Sequence, residues 1–167
     1  NEGVKNVDFE MIIIGITGSM AMGKSTLVQL LKKQGKFPIM EADAEIKKLY
    51  TMPHVQQKLI LLKPNLVKDQ TVQRGNLMSF ILENPCHLLQ LESILYPELA
   101  KVRQKFLQKC QILQMKLVFL DIPLLIEKKM QHLCDYIIVV NCPQWLQQKR
   151  LAERDQKSQK LRELLMQ

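Results

Sequence analysis

Met11-Ile12-Ile13-Ile14-Gly15-Ile16-Thr17-Gly18-Ser19-Met20-Ala21-Met22-Gly23-Lys24-Ser25-Thr26 is the stretch on which the reading of this chain turns. Met11 to Thr17 is a short run rich in Ile, the pattern of a buried strand. Ser25 to Gln34 carries Leu27, Leu30 and Leu31 on one helical face, with Lys32-Lys33 near its end and Gly35 as its stop signal. Between strand and helix, Gly18 to Ser25 fits G-x-x-x-x-G-K-[ST], so motif and context agree. Such a loop surrounds phosphate oxygens with backbone N–H groups, and the helix N-terminus behind it adds partial positive charge. Lys24 can then reach the β- and γ-phosphates of ATP, and the Ser25 hydroxyl can hold Mg²⁺. The nucleotide-binding set is Gly18, Ala21, Met22, Gly23, Lys24, Ser25 and Thr26. A Gly-rich turn in which Ser25 only caps a helix is the competing reading, and it leaves Lys24 without a purpose.

Working outward, the chain has 167 residues, 47% apolar and 24% charged, which fits one soluble globular domain. No apolar run is long enough to cross a membrane and no cleavable signal precedes Met11, so a cytoplasmic location is expected. Cys86, Cys110, Cys134 and Cys142 form no C-x-x-C pair and read as reduced, mostly buried thiols. The net charge of +8 suits polyanionic ligands of any kind. Few aromatic residues are available to stack on bases, which argues against nucleic acid as the primary ligand.

Residues 1–10 lack periodicity and read as a tail, with Met11 as the natural start. Beyond the first helix, Phe37 to Glu41 reads as a second strand, and Asp43 starts a helix running to about Tyr50. The segment from Pro53 to Val72 is ambiguous. Arg74 to Glu83 reads as a helix ended by Asn84-Pro85, and Pro85 opens the next one, with Leu88, Leu91 and Leu95 on one side. Pro97 is expected to open a further helix carrying Leu99, Val102, Phe106 and Cys110 as one buried stripe. Lys116 to Asp121 and Asp135 to Asn141 read as strands of a parallel sheet covered on both faces. From Pro143 onward the pattern is helical and charged, with Trp145 as a packing anchor.

Three further features carry chemistry. Glu41-Ala42-Asp43 ends the second strand, on the sheet edge where doubly wound folds bind substrates. A carboxylate there can take a hydroxyl proton from an acceptor, and the competing reading makes Asp43 a helix N-cap. Asp121 ends a buried strand ahead of Ile122-Pro123-Leu124-Leu125, where a carboxylate can orient metal-bound water or simply begin ordinary core. Arg150 and Arg154 lie four apart on a helix, so both guanidinium groups can clamp a triphosphate; a solvated basic face is the alternative. No N-K-x-D stretch for reading guanine is present, and a small kinase fits the length better than a motor ATPase.

In order and spacing from Met11 to Gln167, these motifs resemble the dephospho-CoA kinase family. The carrying residues are Gly15 to Gly18 running into Gly23 to Thr26, Ala42-Asp43, Arg74 with Leu77 ahead of Phe80, Leu91 to Pro97, Asp121 to Glu127, and Gln148-Lys149-Arg150 leading to Arg154. The resemblance implies transfer of the γ-phosphoryl group of ATP to the ribose 3′-hydroxyl of dephospho-CoA in coenzyme A biosynthesis. It implies Asp43 as the base, Arg150 and Arg154 as lid arginines, and acceptor contacts from Asp43, Arg74, Tyr96, Pro97, Leu124 and Leu125. Three departures from the family stand out: Ser19 and Ala21 make the loop poorer in glycine, Tyr96 stands where histidine is usual, and Glu41 replaces aspartate. The family also continues into a further strand and closing helix beyond the point where this chain stops, so a fragment or a reduced relative is expected.

The expected architecture is a single domain over residues 1–167 with an α/β, three-layer P-loop kinase fold built on a parallel sheet. It carries a helical acceptor-binding insertion around residues 53–111 and a helical lid near 143–160. Another small P-loop kinase acting on a nucleoside, nucleotide or small alcohol is the rival enzyme. A nucleotide-binding relative that has lost catalysis is the rival from another class. Oligomeric state is not readable from the sequence.

Overall fold

The computed structural model describes residues 10–165, with side chains as far as Arg154. The expected tail therefore lies outside the described residues except for Glu10, as do the side chains of the expected lid beyond Arg154. The chain forms two compact units, one from residues 1–39 and 115–167 and the other from residues 40–114.

The first unit is built on strand β1 (Ile12–Thr17), helix α1 (Lys24–Gln34), strands β5 (Leu117–Asp121) and β6 (Tyr136–Val139), and helix α6 (Gln144–Leu165). β1 pairs in parallel with β5 on one side and with β6 on the other. The full sheet order is β2-β5-β1-β6, where β2 (Ile39–Glu41) is the point at which the chain passes into the second unit. This is the expected α/β fold on a parallel sheet. Ile16, Val28 and Phe119 form the centre of the core, with Leu27, Leu31, Phe37 and Leu117 packed around them, and Phe37 meets Phe119 edge-on at 5.7 Å. Gly35 stops α1 as expected, in the left-handed region at φ 63, with its N–H donating to the Lys32 carbonyl.

Four expectations change here. Leu30 is exposed and Val28 takes its place on the buried side of α1, since the face turned to the sheet follows Leu27, Val28 and Leu31. β6 is not covered on both faces: it is an outer strand of the described sheet, and Tyr136, Ile138 and Val139 are exposed. An apolar run marks a strand but does not say how many neighbours it has. Trp145 is likewise exposed rather than a packing anchor. The four cysteines are free, yet only Cys110 is buried.

The second unit holds α2 (Ala42–Leu49), α3 (Pro53–Leu62), a 3₁₀ turn at Pro64–Leu66, a hairpin of β3 (Val67–Lys68) and β4 (Thr71–Val72), α4 (Arg74–Glu83) and α5 (Pro85–Ile112). The ambiguous segment from Pro53 to Val72 thus contains a helix and a hairpin. Asn84 caps α5 by accepting the Cys86 N–H at 2.9 Å, and Pro85 fits the first turn, where its missing N–H has no cost. Pro97 does not open a new helix; α5 continues through it as one 28-residue helix. An interior proline costs about 3 kcal/mol. Burial of Leu91 and Leu95 before it, and of Glu98, Leu99 and Cys110 after it, on one continuous face outweighs that cost, while the Pro97 ring itself is exposed. Helices α2, α3 and α4 all pack on α5.

Candidate functional site

The segment expected to bind phosphate runs between β1 and α1. Gly23 is the N-cap residue of α1 in the left-handed region at φ 106, a conformation favouring glycine. Gly18 is required for a different reason: a Cβ there would stand 2.4 Å from the Val140 carbonyl oxygen, so no side chain fits. Ala21 also adopts a left-handed φ of 64, which a residue bearing a Cβ does at a cost of about 1 kcal/mol. Ala21 is therefore accommodated in the loop at the cost of local strain. Ser25 and Thr26 are exposed at the first turn of α1, whose orphan N–H groups point out of the helix end.

Lys24 lies under this loop and donates to Asp121 Oδ1 at 2.5 Å, both side chains being largely buried. The sequence places these residues 97 positions apart, and parallel pairing of β1 with β5 brings them together. Asp121 is thereby held at the C-terminal end of β5. Thr17, at the end of β1, accepts the Leu125 N–H on its hydroxyl at 3.4 Å, fixing the turn after Asp121. Leu125 in that turn is fully buried, whereas Leu124 adopts a left-handed φ of 54 and is half exposed.

On α6, Arg150 Nη1 donates to the Ala21 carbonyl at 3.1 Å, and Gln147 Nε2 donates to the Met20 carbonyl at 2.9 Å. Arg150 is thus tied to the loop itself. Arg154 is exposed and makes no bond to another described residue. Gln147 was not legible as part of this arrangement, because it lacks charge and stands among other glutamines. A small cavity of about 100 Å³ opens beside the loop, lined by residues including Gly18, Ser19, Met22, Val140 and Asn141.

In the second unit, a cavity of about 520 Å³ is lined by Asp43, Ile46, Lys47, Tyr50, Thr51, Gln70, Thr71, Val72, Arg74, Leu77, Met78 and Ile81. Asp43 and Arg74 thus border one hollow, together with the apolar side chains of Ile46, Leu77 and Ile81. Asp43 is not the N-cap of α2: Glu41 is the capping residue and makes no side-chain cap bond. Asp43 lies in the first helical turn, where its charge favours the positive end of the helix dipole. Tyr96 and Pro97 do not line this hollow. The Tyr96 hydroxyl donates to Glu92 Oε1 at 3.0 Å, and burial, with the carboxylate adding to it, pushes its pKa up to about 12. Burial also raises the Tyr50 phenol above its usual range.

A family model described as dephospho-CoA kinase matches residues 12–166. The chain belongs to the dephospho-CoA kinase family. Among curated relatives, the dephospho-CoA kinase of Bartonella quintana (strain Toulouse) is 34% identical over 150 residues, covering 90% of this chain and 76% of that protein. The dephospho-CoA kinase of Zymomonas mobilis (strain ATCC 31821 / ZM4 / CP4) is 35% identical over 145 residues, covering 86% and 72%. The crystal structure of TT1252 from Thermus thermophilus matches with a TM-score of 0.72 at 31% identity, over 87% of this chain and 73% of that one. A dephospho-CoA kinase from Campylobacter jejuni, at 21% identity and a TM-score of 0.52 over 86% of this chain and 96% of its own, shares the fold. Among the described residues no helix is long and apolar enough to cross a membrane, and no three metal-ligating side chains gather.

Proposed function

We propose that this member of the dephospho-CoA kinase family phosphorylates the ribose 3′-hydroxyl of dephospho-CoA at the expense of ATP. The supporting observation is the Gly18–Thr26 loop with Lys24 seated on Asp121 and Arg150 tied to the loop from α6. ATP is held by the backbone N–H groups from Gly18 through Thr26, and Lys24 neutralises its β- and γ-phosphates. Arg150 and Arg154 belong to a lid formed by residues 143–160, and their guanidinium groups meet charge that builds on the transferring group. The cavity bordered by Asp43 and Arg74 is lined partly from the proposed acceptor-binding insertion, residues 53–111, and partly from residues 43–51 ahead of it. There Asp43 accepts the proton of the attacking 3′-hydroxyl. The new oxygen–phosphorus bond forms as the bond from the γ-phosphorus to the bridging oxygen breaks, and ADP leaves. The family resemblance also assigns acceptor contacts to Tyr96, Pro97, Leu124 and Leu125, of which Tyr96 is engaged with Glu92, Leu125 is fully buried, and neither Tyr96 nor Pro97 lines the cavity.

The exposed Ser25 hydroxyl and the Asp121 carboxylate are hard oxygen donors, the kind that suit Mg²⁺, and a Mg²⁺ ion bound with nucleotide typically takes only one or two protein ligands. These two residues would hold it, Asp121 through water, and the ion would spread the negative charge of the phosphates. The cytoplasm is the proposed location. An ADP-release assay with ATP, Mg²⁺ and dephospho-CoA, run beside a panel of nucleosides and small alcohols, tests the assignment. Turnover on dephospho-CoA alone is expected. Preference for another alcohol, or nucleotide binding without turnover on any acceptor, would overturn it.

A further inference from the structure

Gln56 is a buried polar residue on α3 with no part in the chemistry described so far. Its amide nitrogen donates to two backbone carbonyls at once, those of Tyr50 and Gln70, each at 2.8 Å. Both acceptors belong to residues that line the cavity. Tyr50 is the C-cap of α2, so its carbonyl lies among the last ones of that helix, which have no partner within it. Gln70 occupies the two-residue loop of the β3–β4 hairpin. There Asp69 and Gln70 both adopt left-handed φ values, 49 and 56. Such a tight hairpin loop normally draws on asparagine and glycine, and Gln70 supplies neither. The strained loop is held by what surrounds it, and Gln56 is the side chain that fastens it to the end of α2. One amide thus joins two walls of the cavity with both of its N–H donors used, and Gln56 is not itself among the lining residues.

We propose that Gln56 is a positioning residue that sets the width of the acceptor cavity by pinning the Gln70 loop to the end of α2. The proposal rests on the reading of that cavity as the acceptor site. Its consequence is selective: loss of the clamp lets the hairpin drift from α2 and weakens acceptor binding, while nucleotide handling by the other unit is untouched.

Two substitutions and two readouts decide it. Gln56→Leu keeps the bulk and removes both donors, and Gln56→Asn keeps the amide on a shorter arm that reaches one carbonyl. Hydrogen exchange measured on the full chain without substrate should show the amides of residues 69–72 exchanging at least about tenfold faster in Gln56→Leu, and less so in Gln56→Asn. In steady-state kinetics KM for dephospho-CoA should rise by about five- to tenfold in Gln56→Leu and by less in Gln56→Asn, with KM for ATP and kcat within about twofold of wild type. Unchanged exchange in both variants would overturn the clamp. Faster exchange with an unchanged KM for dephospho-CoA, or with equal rises in both KM values, would overturn the positioning role. A wild-type chain that fails to use dephospho-CoA would instead sink the acceptor assignment and with it the role in binding, leaving the exchange result to judge the clamp alone. Should Gln56→Leu not fold, Gln56→Asn carries the same comparison.

Discussion

From Gly18 to Thr26 the groups assigned to ATP come from consecutive residues, whereas the cavity around Asp43 takes its walls from α2, the β3–β4 hairpin and α4. Apart from the side chains of Lys24 and Ser25, the contacts proposed for this loop come from backbone N–H groups, and glycine is demanded only at Gly18 and Gly23, so its remaining side chains are free to vary. The cavity has to be held at the right width by side chains behind it, Gln56 among them. A loop of the first kind tolerates Ser19 and Ala21 in place of glycine. A cavity of the second kind is sensitive to changes at residues that never meet a ligand.

The sharpest way to break this contrast is Lys24→Ala, which should lower turnover on the order of 10⁴-fold. It also leaves the buried Asp121 carboxylate without the ammonium it contacts, so a fall in stability of about 1 to 3 kcal/mol is expected by urea denaturation. Adding Asp121→Asn should restore most of the stability and none of the activity. If instead the double variant regained turnover, the lysine would be serving the pair and not the nucleotide.

Replacing both Arg150 and Arg154 by Ala should cost about 10³-fold in kcat with little change in thermal midpoint, since the Arg150 contact to the Ala21 carbonyl is one partly buried hydrogen bond. Equal kcat in the double variant and wild type would reduce this face of α6 to solvated surface.

Asp43→Asn moves the test to the cavity. Because Asp43 lies inside the first turn of α2 rather than capping it, losing its charge should cost no more than about 1 kcal/mol of stability. A drop in kcat of about a hundred- to a thousandfold, with KM for ATP unchanged, is the expected signature of a lost proton acceptor. Full activity in this variant would return Asp43 to a purely structural place.

The smallest effect concerns Glu98, buried on α5 and bonded to Lys58 at 2.9 Å, His54 at 3.2 Å and Lys101 at 3.3 Å. The Lys58 hydrogen bond above all, with His54 and Lys101 adding, pulls its carboxyl from an ordinary value near 4.5 down to about 2 against the opposing effect of burial. A carboxylate held this low stabilises the fold above the unfolded value and loses that contribution as pH falls. Wild type should therefore be more stable than Glu98→Gln at neutral pH by a margin that shrinks as pH falls from about 4.5 to about 2. Denaturation curves across that range check it, and kcat at neutral pH should be the same in both.

By itself the sequence determined the strand–loop–helix unit around Gly18 to Thr26, the stop at Gly35, the helix break at Asn84-Pro85 and the order of motifs that places the chain in its family. The first three are local matters of backbone preference, carried by residues within a few positions of one another, and the order of motifs is read along the chain without reference to its folding. Only the tertiary structure decided that Lys24 meets Asp121, that Val28 and not Leu30 faces the sheet, that α5 runs on through Pro97, that β6 stands at an edge, and that Gln56 and Glu98 each gather partners from other segments. The physical reason is the same throughout. Periodicity shows which side of an element is apolar, but a buried amide or carboxylate is placed by partners that folding brings in from distant parts of the chain, and nothing in its own neighbourhood of the sequence records them.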